Sequence, residues 1–215
     1  MNSRVAGSKA MMTICRTSWL LLACICMTSH LSAQTRQPGY LVTLRDLSVP
    51  PKALRDFAKG TELLAKNNPE ASLLLFQRAI SEYAGYYEAY DRIGAANLKL
   101  WRVPEAERAF RKAIEVSGGQ YAHPFIALGA ILDDRKIFVE AESVIRKGLN
   151  LDRDSWRGHY YLALALFGLS RLADAEQSVQ EALRRKPDFP EAQHLLANIR
   201  SHEEDYRSLV SDLNE

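Results

Sequence analysis

Residues 87–116 read YEAYDRIGAANLKLWRVPEAERAFRKAIEV, and the architecture of the chain follows from them. Their apolar side chains recur at helical spacing. Counting from Tyr87, the eighth residue is Gly94, the twentieth Ala106, the twenty-fourth Phe110 and the twenty-seventh Ala113. The same offsets counted from Ala53, Ala122 and Trp156 give Gly60, Gly129 and Ala163 at the eighth place. They give Ser72, Ala141 and Ala175 at the twentieth, and Ala79, Gly148 and Ala182 at the twenty-seventh. Gly, Ala and Ser make up only about a quarter of the chain, so twelve matches out of twelve are no coincidence. The twenty-fourth place is always large and apolar: Phe76, Phe110, Ile145, Val179. Small residues at eight and twenty let two helices approach, and the large residue at twenty-four is expected to fill the space against the neighbouring unit.

This period of 34 residues resembles the tetratricopeptide repeat, one pair of antiparallel helices per unit, over residues 53–215. The resemblance implies an all-α, right-handed superhelical solenoid of about four and a half units: 53–86, 87–120, 122–155, 156–189 and a partial 190–215. Bulk at places 4, 7 and 11 is met by Tyr90 and Ile93, by Phe125, Leu128 and Leu132, and by Leu162 and Leu166. The proline usual at place 32 is met only by Pro187; Ala84, Gly118 and Arg153 stand elsewhere. The first unit carries Asp56 and Lys59 at places 4 and 7, as a solvent-facing end repeat would. One extra residue around Gly118-Gly119 separates the second and third units and is expected to stop one helix and reorient the next. The fifth unit is expected to hold a second, short helix at about residues 205–213 that leans on the fourth unit or on another copy in a dimer.

The N-terminus reads as an export signal. Arg4, Lys9 and Arg16 precede an apolar centre at residues 19–27 (WLLLACICM) and the small-residue pattern Leu31-Ser32-Ala33, so residues 1–33 form a signal peptide cleaved after Ala33. Nine apolar residues rise only about 14 Å as a helix, short of a roughly 30 Å membrane core, so no span is expected in the mature chain. The expected location is periplasmic or secreted. A lipid anchor at Cys24, after Leu21-Leu22-Ala23, is the alternative, and Met11 or Met12 would serve as alternative starts. Residues 34–52 alternate Tyr40, Val42 and Leu44 before Pro50-Pro51, an extended lead-in stopped by prolines.

Chemistry is not written in the sequence. The three cysteines, Cys15, Cys24 and Cys26, all lie in the signal, so thiol catalysis, disulfides and Cys-metal sites are ruled out downstream. No phosphate-binding loop, dinucleotide fingerprint, HExxH or nucleophile elbow occurs, and no cofactor is expected. The chain of 215 residues has a net charge of +2, and Arg111-Lys112, Arg146-Lys147 and Arg184-Arg185-Lys186 are interspersed with acids, which argues against nucleic acid. Asp133-Asp134 reads as a solvated helix end, and His159 as a hydrogen-bonded interior ring. His194 and His202, eight apart with no cysteine beside them, make too weak a set for zinc.

What remains is a non-catalytic protein-interaction scaffold or adaptor, with a structural subunit of a cell-envelope assembly as the alternative. The resemblance implies a concave groove lined by the first helix of each unit, through places 2, 5, 6, 9, 12 and 13. Those places hold Phe57, Thr61 and Leu64; Asp91, Arg92, Ala95, Leu98 and Lys99; His123, Ile126, Ala127, Ala130, Asp133 and Asp134; Arg157, Tyr160, Tyr161, Leu164 and Phe167; and Glu191, His194, Leu195 and Asn198. Leu98, Ile126 and Leu164 read equally as residues packed between helices. Place 5 holds Phe57, Asp91, Ile126 and Tyr160, not the Lys and Asn with which some members of the family clamp a C-terminal carboxylate. The expected partner is therefore a protein or peptide segment with hydrophobic anchors. The fourth unit, with Arg157, Tyr160, Tyr161 and Phe167, is expected to dominate, the alternative being that Tyr160 and Phe167 fill the space between units four and five.

Overall fold

The computed structural model describes residues 48–213. The signal, and the Tyr40, Val42, Leu44 alternation of the lead-in, lie outside the described residues. Among the described residues there are nine helices and no strand. They are α1 (Pro51–Ala65), α2 (Pro69–Glu82), α3 (Tyr87–Lys99), α4 (Val103–Val116), α5 (Ala122–Asp134), α6 (Phe138–Leu151), α7 (Trp156–Gly168), α8 (Leu172–Arg185) and α9 (Pro190–Leu213). The first eight pack as four successive pairs, α1–α2 to α7–α8, and each pair packs on the next. Pro51 opens α1 where an extended lead-in was expected to stop, because a proline at the first helical place forfeits only an N–H that has no helical partner.

Each pair closes through a three-residue turn, and the middle residue of every turn has positive φ: Asn67 (58°), Trp101 (58°), Lys136 (63°) and Ser170 (59°). None of them is glycine. The following N–H reaches back to a carbonyl in the last turn of the first helix at 2.9 Å each time, from Asn68 to Leu63, Arg102 to Asn97, Ile137 to Leu132 and Arg171 to Leu166. These are Schellman closures, which satisfy carbonyls the helix end would otherwise orphan. Between pairs the connections run four residues, except 117–121, which has five. Gly118 and Gly119, at φ 61° and 72°, absorb the extra residue there in a conformation costly for other side chains.

The repeated small residues sit where backbones approach. Ala106, Ala141 and Ala175 are fully buried, as are Ala79, Ala113 and Ala182. The twenty-fourth residue contributes first to its own pair, where the sequence pointed to the neighbouring unit. A β-carbon on Gly60 would stand 2.7 Å from Phe76 Cε1, and one on Gly94 2.6 Å from Phe110 Cε1. Each such side chain, fully buried, is worth about 1.5–3 kcal/mol. The largest apolar cluster then runs from Leu128 and Ile145 through Leu166 and Val179 to Ile199, joining the third unit to α9. Between units, Arg135 and Arg171 in the turns reach back to Glu107 (2.6 Å) and Glu142 (2.8 Å) on the preceding second helices.

The end repeats differ from expectation at two places. Residues 190–213 form a single continuous helix, with no turn before residue 205 and no separate second helix. Ala192, Leu195 and Ile199 bury its inner side, while Gln193, His194, Ala197, Asn198, Ser201 and Glu204 stay exposed. This outer face is polar, as a cap requires. In the first unit Asp56 is 8% exposed, with Arg78 3.3 Å away, so the charge at place 4 is held at a buried site rather than turned to solvent.

Candidate functional site

A groove of about 510 Å³ runs across α3, α5 and α7. Its apolar wall is Leu98, Val103, Phe110, Ile126, Ala127 and Ile131, with Trp101 on its rim and Tyr161 on the α7 side. Trp101 is 89% exposed while held at φ 58°, a bulky residue in a backbone region that such residues avoid. His123, Asp134, Arg157 and the Tyr161 hydroxyl are the titratable groups of the lining.

The polar groups divide into partnered and unpartnered. His123 Nδ1 donates to Oδ1 of the fully buried Asp91 at 2.6 Å. The Arg157 guanidinium lies 4.2 Å from the Trp156 ring centre, and Lys186 covers the same ring at 4.1 Å. Asp133 has no such partner. Its Oδ1 is buried without a hydrogen bond, and burial together with the neighbouring Asp134 charge pushes its carboxyl up to about 6. Burial also raises the Tyr161 hydroxyl, with Arg157 acting against the shift and Asp133 adding to it. A solvated end describes Asp134, which is exposed, but not Asp133. The interior-ring reading suits His159, whose Nε2 donates to the Arg153 carbonyl at 3.0 Å from a half-buried position.

The residues assigned to the groove from sequence scatter over several environments. Arg157, Tyr161 and Ile126 meet in it together with Leu98, His123, Ala127, Ala130 and Asp134, Ile126 as a buried floor residue at 4% exposure, whereas Leu195 is buried in the core. Leu64 is sealed between Leu73, Phe76 and Ala96, and Phe57 packs on Phe76 and Tyr86 with ring centres 5.7 and 4.8 Å away. Tyr160 spends its ring on Phe189 at 4.8 Å, and Phe167 on His202 at 5.3 Å, so both fill the space between the fourth unit and α9. Leu164 packs against the main core. Arg92 is half-buried, with its Nε lacking a hydrogen bond. Lys99 is exposed and donates to Asn67 at 3.2 Å, and His194 is exposed on α9. Trp101, Val103, Phe110 and Ile131 were not among the residues assigned from sequence. Trp101 lies at place 15, outside the first-helix register by which the lining was drawn up.

Solved structures with the same arrangement include MamA from Desulfovibrio magneticus RS-1, at 18% identity and TM-score 0.64 over 78% of this chain and 94% of that one. TTC0263 of Thermus thermophilus, described as a thermophilic TPR protein, is 22% identical with TM-score 0.59 over 70% and 82%. YrrB, described as a TPR protein with an unusual peptide-binding site, is 18% identical with TM-score 0.58 over 71% and 78%. The chain has the tetratricopeptide-repeat (TPR) fold. No protein-family model matches the sequence, and no curated protein matches it either.

Within the TPR frame, the groove is the face shared by the first helices of units two, three and four. A second recess, of about 880 Å³, lies between α7 and α9 beside Phe167, His202, Glu203 and Arg207. It is the larger, but Glu203 and Arg207 pair along α9 at 3.4 Å and Phe167 is engaged with His202, so its charged and aromatic lining is already partnered. Among the described residues no three His, Cys, Asp or Glu side chains group to hold a metal ion, and no helix is long and apolar enough to cross a membrane.

Proposed function

We propose that the chain is an exported, non-catalytic adaptor that holds a protein segment in the groove across α3, α5 and α7. One contrast carries this reading. Charges on the second helices are neutralised within the chain, as in Arg111–Glu107, Arg146–Glu142 and Arg184–Glu181 at 2.8–2.9 Å. On the first-helix face, no ion pair among the described residues involves Arg92, Asp133, Asp134 or Arg157, and Trp101 stands open to solvent. Surface tryptophan beside apolar groove walls is the composition of a binding site, since large rigid rings bury much area at small entropic cost. The peptide-binding site named for YrrB is consistent with that use of the fold. Export rests on the basic, apolar and small-residue order of residues 1–33.

The test is photocrosslinking in the native cell. A crosslinking residue at Ala130 should capture a defined segment of another protein, while one at Lys112 on α4 should not. Capture at Lys112 alone would overturn the groove reading. A stoichiometric complex that forms without the groove would make the chain a structural subunit instead. A mature N-terminus at Gln34 supports export, a lipid-bearing start at Cys24 would replace it with an anchored form, and an intact Met1 would sink both.

A further inference from the structure

The chemistry of the bound segment can be read from the groove's charges, and the inference rests on the groove being the binding site. Three sources of negative potential converge at the C-terminal end of α5: Asp133, Asp134 and the carbonyl end of the helix itself. Among the described residues no ion pair reaches Asp133 or Asp134, and the neighbouring Arg135 turns to Glu107 instead. The Asp133 carboxyl is shifted by burial and by Asp134 alone, whereas basic groups elsewhere in the groove already have partners. Arg157 lies on the Trp156 ring, and His123 is bound to Asp91. Asp133 Oδ1 is moreover a buried acceptor with no donor, a condition folded proteins rarely leave unexplained. The Asp133 charge acts on the Tyr160 and Tyr161 hydroxyls of α7, whose rings stand 5.4 Å apart. Asp134, Tyr161 and the open Trp101 line one and the same groove.

We infer that the groove selects a protein segment carrying a lysine or arginine next to its apolar anchor, the anchor lying on Leu98, Ala127 and Ile131 and the cation meeting Asp133 and Asp134 beside the Trp101 and Tyr161 rings. The segment's ammonium or guanidinium donates the charge-assisted hydrogen bond that the Asp133 carboxylate lacks, and aromatic faces attract the same cation. An acidic segment would instead have to lie against Asp133 and Asp134, which like-charge repulsion opposes.

The experiment pans a library of random twelve-residue peptides against the full chain and keeps those whose binding is lost in Tyr161→Ala. Their common pattern should be an apolar residue with Lys or Arg close by. A fluorescein-labelled consensus peptide should then bind about tenfold more weakly to Asp133→Asn, the scale of one charge-assisted hydrogen bond. Its affinity for the unaltered protein should fall as pH drops through about 6, while the Asp133→Asn profile loses that inflection. Because His123 also faces the groove, an inflection that persists in Asp133→Asn would assign it to the His123–Asp91 pair and overturn the role given to Asp133. Groove-dependent peptides without a basic residue, or with acidic ones, overturn this inference and leave the adaptor reading standing. No groove-dependent peptide at all, or a second copy found to occupy the groove, removes both.

Discussion

Phe110 stands so close over Gly94 that a β-carbon there would lie 2.6 Å from Cε1, 2.7 Å from Cζ and 2.8 Å from Cδ1. Phe110 is 1% exposed, so its ring can give way only by repacking its neighbours. The eighth place is therefore small because the twenty-fourth residue of the same pair occupies the space a side chain would need.

Gly94→Ala should accordingly destabilise the protein, although alanine is the better helix former by about 1 kcal/mol. Overpacking of a filled core costs roughly 1–3 kcal/mol, and with the ring so enclosed the clash outweighs the propensity gain. A net loss of about 1 kcal/mol is expected by chemical denaturation. The double variant Gly94→Ala with Phe110→Leu should lose less than the sum of the two single changes. Strict additivity would show that the two residues do not share the space.

The four turn residues lead to the opposite sign. An L-residue in the left-handed region costs about 1–2 kcal/mol, and glycine gives back part of that gain in unfolded-state entropy. Lys136→Gly and Ser170→Gly should each raise the unfolding free energy by a few tenths to about 1 kcal/mol, read as a higher Tm. Lys136 is exposed and Ser170 lies outside the α3–α5–α7 groove, so partner capture should not change. A lower Tm would mean that the positive φ of these turns does not hold in solution.

Those turns also show where sequence reading reached its limit. Gly60, Gly94 and Gly129 facing Phe76, Phe110 and Ile145 were legible, because close approach of backbones leaves a fixed residue size at a fixed spacing. Asn67, Trp101, Lys136 and Ser170 share a conformation but no residue type, so nothing in the letters marks it. The continuous α9 was missed for a related reason: a turn was expected from the repeat, yet Ser201-His202-Glu203-Glu204 contains no glycine or proline to break the helix. Within the groove, Tyr161 and Arg157 followed from register. Tyr160 did not, since its position depends on Phe189, far along the chain in the loop before α9.

Asp133 gives a pH-dependent stability signature. Its carboxyl, pushed up to about 6 by burial and by Asp134, binds its proton more tightly in the folded than in the unfolded chain. A raised carboxyl stabilises the fold fully only below the unfolded pKa, and that contribution is lost as pH rises through about 6. Asp133→Asn should therefore raise the unfolding midpoint at about pH 7.5 and change it little at about pH 3.5. Equal gains at both values would show that the ionised carboxylate is not disfavoured in the folded state.

Groove residues and packing residues separate on the two sides of α7. Tyr160 places its ring against Phe189, with Trp156 on the other side of Phe189 at 4.7 Å, so Tyr160→Ala opens a hole between the fourth unit and α9. Trp101 is 89% exposed and packs on little, so Trp101→Ala should leave Tm nearly unchanged. Aromatic residues at the centre of an interface often cost about 2 kcal/mol or more when truncated, which is about a thirtyfold loss of affinity. Capture of the native partner should thus be lost in Trp101→Ala at unchanged Tm, and for Tyr160→Ala it should fall only as far as the folded fraction falls. Thermal unfolding measured beside quantitative crosslinking checks both. Undiminished capture by Trp101→Ala would remove the exposed ring from the binding surface and, with it, the reason offered for keeping tryptophan in a turn where glycine is the more stable choice.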